Sequence, residues 1–268
     1  MTGLWPPADL GARLTQLDGV LAVHAATGPA GTLDLVLYHR GPVPARTHHA
    51  ICRTLLNPQP SDHIPPGGQT RPRLRAVTEP APLEWAYRDL DRVQQLTRRV
   101  AAGQHHFELE PGKVRLQPDF QPLADLTRAQ ILADPSAELG LLQHRLQHYP
   151  DPLADALVAR LWETALLLEE THRAADHGDT VGVAAGLARI LDLAAHALHG
   201  HARSWPPDPA ELFTATQRLH DAPPGFTRTT QHLLAHLGSR PTLLHGAADA
   251  TSQLLRAVTA TCQPRRQD

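Results

Sequence analysis

Two hydrophobic rhythms divide the chain. Up to about residue 150, short runs rich in Val and Leu alternate with short helical patterns; beyond it, apolar residues recur at helical spacing almost without a break. In the first part, "GVLAVHA" (Gly19 to Ala25) and "TLDLVLYH" (Thr32 to His39) flank the turn-forming "ATGPAG" and predict an antiparallel hairpin. "PARTHHAICRTLL" predicts a helix with Pro44 in its first turn. "PLEWAYRD" alternates as a strand, Leu83, Trp85 and Tyr87 on one face and Glu84, Ala86 and Arg88 on the other. "DLDRVQQLTRRVAAG" then predicts a helix capped by Asp89 and ended by Gly103.

Between these strands, residues 57 to 82 hold seven prolines and a Gly-Gly pair, which predicts an irregular loop with one strand near Arg73 to Val77. After Pro150 the pattern is helical throughout. Asp151-Pro152 reads as a cap and a first-turn proline, and Leu153, Leu157, Leu161, Ala165 and Leu168 form one apolar stripe. Asp179 opens a further helix to about His199, and proline-rich breaks at 206 to 209, 223 to 224 and 238 to 241 separate three more. The expected fold class is α+β: a small mixed β-sheet domain over residues 1 to 150, followed by an all-α helical bundle over 151 to 268.

Composition narrows the function classes. With 41% hydrophobic and only 4% aromatic residues, Leu, Ala and Val must fill most of the core. A formal charge of −2 with no basic run argues against nucleic acid as the partner. No leader-like N-terminus or uninterrupted twenty-residue apolar run is present, so the expectation is a cytoplasmic protein with no membrane partner. Cys52 and Cys262 match no metal or redox spacing. His144 and His148, four apart, and the group His196, His199 and His201 have spacings that zinc could use, but no third ligand or HExxH-type base accompanies them, and no metal or cofactor is expected.

"LEWAYRDLDRV" (Leu83 to Val93) resembles the third-carboxylate strand and following helix of bacterial aminoglycoside-type proteins in the nucleotidyltransferase superfamily, where the pattern is written VDWIYRDLDRV. "LVARLWETALLLEETHRAADHGD" (Leu157 to Asp179) carries a weaker likeness. The resemblance implies a Gly-Ser turn for the nucleotide phosphates and a D-x-D strand that joins a third carboxylate to hold Mg²⁺. Here "AATGPAG" replaces the turn, Thr32 takes the first carboxylate position, Asp34 the second and Glu84 the third. The family's lysine-bearing stretch reads "GHARSWPPDPAEL", without lysine.

The resemblance thus implies a repurposed site. Asp34 and Glu84 are the candidate catalytic pair, able to orient an amine or act as a general base, with Glu163, which the resemblance turns towards the cleft between domains, as a third candidate. Tyr38, Arg40, Tyr87 and Arg88 are candidate substrate contacts; Arg88 either clamps an anionic group or pairs with Glu84. The expected partner is a small charged substrate in specialised-metabolite biosynthesis, with metal-independent elimination or ring closure as the chemistry. Two alternatives stand beside it: a non-catalytic subunit that stabilises a second protein subunit, and Mg²⁺-dependent nucleotidyl transfer to an antibiotic-like acceptor.

Overall fold

The computed structural model describes residues 7–27, 33–56, 73–76, 83–109 and 114–263. It divides into two compact units. The first comprises Met1–Thr97 with Asp125–His148, the second Arg98–Ala124 with Tyr149–Asp268. The change of pattern near residue 150 therefore coincides with one crossing between units, and an earlier excursion, 98–124, also belongs to the helical one.

In chain order the first unit holds α1 (Pro7–Thr15), β1 (Ala22–Thr27), β2 (Leu33–His39), α2 (Ala45–Leu56), β3 (Arg73–Ala76), β4 (Leu83–Asp89) and α3 (Leu90–Ala101), which runs on into the second unit. The excursion carries β5 (Phe107–Glu108), β6 (Gln117–Pro118) and the start of α4 (Gln121–Arg128), after which β7 (Gln130–Ala133) and α5 (Glu138–Leu146) return to the first unit. The five-stranded sheet has the order β3-β4-β2-β1-β7. β1 and β2 form the predicted antiparallel hairpin, although β1 starts at Ala22 rather than Gly19, and β2 and β4 are parallel.

Alternation along the strands decides what each face does. Val23, Ala25, Leu35, Leu37, Leu83 and Trp85 bury one face against Leu10 and Leu14 of α1 and Ile51, Cys52 and Leu55 of α2. Gly11 lets α1 approach β7, because a Cβ there would lie 2.6 Å from Leu132 Cβ. The intervening residues, Asp34, Val36 and Tyr38 on β2 and Glu84, Ala86 and Arg88 on β4, occupy the opposite face, which carries the site described below. Asp89 caps α3 as expected: its carboxylate accepts from the backbone N–H groups of Asp91 at 3.0 Å and Arg92 at 3.1 Å. At the other end Gly103, with φ +76°, closes a Schellman motif in which Gln104 N–H donates to the Arg99 carbonyl and Gly103 N–H to that of Val100.

The second unit continues with α6 (Asp151–Ala159), a 3₁₀ turn (Arg160–Trp162), α7 (Glu163–Asp176), α8 (Thr180–His201), α9 (Leu212–Thr216), α10 (Phe226–Ala235) and α11 (Pro241–Cys262). The stripe from Leu153 to Leu168 is thus split: the turn at 160–162 separates two helices where periodicity predicts one. Pro150, not Asp151, occupies the cap position of α6, while Asp179 caps α8 by accepting from Gly182 N–H at 2.9 Å. By length and composition α8 could cross a membrane, yet its C-terminal half is buried among the other helices, with Ile190, Ala194, Ala197 and Leu198 packed on Phe226, Leu255 and Val258. A central core helix is apolar all round for this reason.

Candidate functional site

The face of the sheet away from α1 and α2 has two contrasting ends. At one end, parallel register sets Asp34 of β2 beside Glu84 of β4, with Ala26 of β1 on the other flank. Both residues are of intermediate exposure, and one carboxylate oxygen of Asp34, Oδ1, is buried. Carboxylates set side by side on adjacent strands favour a bound cation. Thr32, read as standing in the first carboxylate position, lies outside the described residues, as does most of the turn before it and of the proline-rich loop.

Four residues further along the same strands the face is closed. Tyr38 and Arg88 are register partners, and Arg88 donates to Asp125 of α4 at 2.9 Å. The Tyr38 hydroxyl lies 3.1 Å from His24 Nδ1. Burial pushes the Tyr38 hydroxyl up to about 12, against the pull of the Arg88 charge. The same burial, helped by Arg88, drives His24 down to about 3, so its ring is neutral. Arg88 itself stays above its ordinary value: burial pulls it down, and Tyr38 and Asp125 more than offset that. The candidate anion clamp is therefore engaged in a partly buried ion pair with Asp125. Tyr38 has no exposed surface, which makes it a support for Arg88 instead of a substrate contact.

Within the first unit, the candidates Tyr87 and Arg40 are not gathered with Asp34 and Glu84. Tyr87 sits on the α1/α2 face, where its hydroxyl meets His48 Nδ1 at 2.7 Å. Arg40 lies just past β2 and is held by Asp91 at 2.8 Å and Glu138 at 2.5 Å. Asp89 ties this corner further, accepting from Gly41 N–H at 3.2 Å; burial raises its carboxyl, but the three backbone donors outweigh that and leave it below the usual range. Glu163 belongs to the second unit, where Arg160 at 3.1 Å and Arg189 both engage its carboxylate. A doubly paired carboxylate is a structural anchor before it is a base.

A second polar cluster, in the helical unit, adds Arg115 and Asp192, which the sequence did not single out, to His196, which it did as a possible zinc ligand. Arg115 donates to Asp192 of α8 and, at 2.6 Å, to the Pro209 carbonyl, while its guanidinium lies 4.5 Å from the Phe213 ring centre. Burial raises the Asp192 carboxyl although Arg115 opposes this. Nearby His196 is 2% exposed, packs on Phe107 at 4.9 Å between ring centres, and has no hydrogen-bond partner at either nitrogen. Burial, then the charges around it, bring it to about 3. A charged residue in the apolar stretch of α8 was the available signal for Asp192; nothing in the sequence singled out Arg115 as its partner. Among the described residues no three His, Cys, Asp or Glu side chains converge as a metal cluster, and His144 and His148 are both exposed.

Comparison with known proteins bears on the fold. The nucleotidyltransferase-like protein from Exiguobacterium sibiricum 255-15, whose crystal structure is at 1.90 Å resolution, aligns with 94% of this chain and 73% of its own, with a TM-score of 0.50 and 9% identity. The fold is nucleotidyltransferase-like. The family described as a domain of unknown function, DUF4037, matches residues 116–209, a span that contains Asp125 and Asp192 but neither Asp34 nor Glu84. No curated protein matches the chain.

Proposed function

We propose that this is a repurposed nucleotidyltransferase-fold protein that binds a small, amine-bearing substrate at Asp34 and Glu84, without the three-carboxylate metal chemistry of aminoglycoside-type relatives. The observation that carries the reading is the register pairing of Asp34 with Glu84 on one partly exposed sheet face. A protonated amine between them offsets their repulsion, and either carboxylate can then take a proton from it. The amine so released can attack an electrophilic carbon of the same substrate, forming the C–N bond as that carbon's leaving group departs with its electron pair; alternatively a carboxylate removes a C–H proton next to a carbon that bears the leaving group, and a double bond forms as that group departs, as specialised-metabolite chemistry uses. Rate would come from positioning, which can remove roughly 7–11 kcal/mol of barrier. The His24, Tyr38, Arg88 and Asp125 network supports this by rigidity, as it stiffens both strands four residues away.

A second reading rests on the same pair. One Mg²⁺ accepts two carboxylates with water and phosphate oxygens filling its octahedron, so Asp34 and Glu84 could hold a metal-nucleotide for transfer. Calorimetric titration with ATP and GTP, with and without Mg²⁺, separates the two. Absence of Mg²⁺-dependent binding, together with affinity for a panel of polyamines or amino sugars that disappears in Asp34→Asn, is the expected result. Tight Mg²⁺-dependent nucleotide binding lost in that variant would overturn the first reading in favour of the second.

A further inference from the structure

Only 4% of this chain is aromatic, and one of those residues fills a place among basic groups. The ring of Phe107, on the two-residue strand β5, lies 4.9 Å from that of His196 and 5.7 Å from that of His105, centre to centre, and 5.1 Å from the Arg160 guanidinium. His199, Arg115 and His105 are the groups whose charge bears on His196, and all three are basic. Every one of these residues belongs to the second unit.

Both nitrogens of His196 and Nε2 of His105 are buried without a hydrogen-bond partner. His105 Nδ1 meets the Gly103 carbonyl at 3.3 Å, and a carbonyl only accepts, so Nδ1 donates and Nε2 of the neutral ring carries a lone pair. Buried polar groups are left unmet in native cores so rarely that each asks for a ligand or a water. Phe107 offers the cluster only its π face, which attracts a guanidinium but accepts no strong hydrogen bond. An oxyanion in the same place would meet what the ring cannot. Phe107 is itself partly exposed, so its ring can swing towards solvent.

Charge decides which anion. Arg115 is paired with Asp192, and Arg160 with Glu163 at 3.1 Å, so each of these pairs is neutral. Arg189, the second arginine on Glu163, is nearly half exposed, and water screens its charge. One negative charge is therefore balanced when one proton enters with it, whereas a dianion would leave charge buried without compensation. We infer that His196, His105 and Arg160 form a binding site for a small monocarboxylate, which enters together with one proton and displaces the Phe107 ring. The proton resides on an imidazole or on the carboxylate, and in either case it supplies the donor between them. The inference stands apart from the reading of Asp34 and Glu84 and does not depend on it.

The test is calorimetric titration of the purified full chain with acetate and butyrate at pH 6.5 and pH 8, in buffers of different ionisation enthalpy so that bound protons are counted. Saturable binding is expected, with uptake of up to one proton and affinity rising up to about tenfold per pH unit as pH falls. Phosphate, mostly a dianion at pH 8, should bind more weakly there than butyrate. His196→Leu and, separately, His105→Leu should each abolish binding while helical circular dichroism is unchanged. Phe107→Ala should bind several-fold more tightly than the wild type, because no ring has to leave, and should prefer butyrate to the uncharged butyramide. No carboxylate binding by the wild type, which would leave water as the partner of these nitrogens, overturns the assignment. So does binding that survives both histidine variants, or equal affinity of Phe107→Ala for butyrate and butyramide, the mark of a mere hole.

Discussion

Each unit sets an Arg–Asp pair beside a buried, neutral histidine, but they finish the job differently. In the sheet unit, Arg88 and Asp125 lie next to His24, whose Nδ1 meets the Tyr38 hydroxyl. In the helical unit, Arg115 and Asp192 lie near His196, whose nitrogens are both buried without a partner. The first network is closed by hydrogen bonds from three strands and a helix. The second keeps a polar ring inside an apolar helix layer at a desolvation cost of about 1–3 kcal/mol. A paired network fixes strand positions beside Asp34 and Glu84, whereas an unpartnered ring adds acid sensitivity without adding order.

Acid should expose what the two clusters share. Both histidines sit at about 3 in the folded protein against 6.5 ordinarily, so between those values the unfolded chain binds more protons. Their contribution is present above about pH 6.5 and is lost as pH falls, by up to about 1.4 kcal/mol per pH unit for each ring. Urea unfolding from neutral pH downward should show most of the stability gone by about pH 4, since domains hold only about 5–15 kcal/mol. A flat profile over that interval would mean that both rings can be protonated in place.

Removing one arginine at a time ranks the ion pairs. Arg115→Met leaves Asp192, almost fully buried, without its counter-charge and should cost about 3–5 kcal/mol in chemical denaturation. Arg88→Met should cost less, about 2–3 kcal/mol, because Asp125 is more than a quarter exposed and can rehydrate. Equal losses would contradict the burial difference between the pairs.

The histidines should respond in opposite senses to the same change. His24→Leu removes the partner of a buried hydroxyl and should cost about 1–3 kcal/mol. His196→Leu deletes an unsatisfied group and should be neutral or stabilising at pH 7 while flattening the acid limb. Comparable destabilisation in both would show that His196 has a partner in solution.

The smallest effects belong to the exposed positions. Glu84→Gln should change stability by no more than about 0.5 kcal/mol, and its readout is ligand affinity. Arg40→Ala, at an open surface ion pair, should unfold together with the wild type in the same denaturant series.

Much of the architecture was legible from local pattern. Period-two alternation marked β2 and β4, Asp89 and Gly103 bracketed α3, and Asp179 opened α8, because alternation, capping and left-handed glycines act over a few residues. The break at 160–162 was not legible, since a 3₁₀ turn keeps the apolar residues on nearly the same side as an α-helix does. Of the candidate site, the sequence placed Asp34 and Glu84 on strands and put Tyr87 on the opposite face from Glu84.

What only the tertiary structure decided is which charges meet. Arg88 finds Asp125 across 37 residues, Arg40 finds Glu138 across 98, and Arg115 finds Asp192 across 77. His172 of α7 and His245 of α11, whose rings meet, lie 73 residues apart. An arginine in sequence carries no mark of its partner, because the pairing energy is set by distance and desolvation, and both come from how helices and strands pack. The strand register that sets Asp34 beside Glu84 is of the same kind: each strand was readable alone, and their alignment was chosen by the buried face they share.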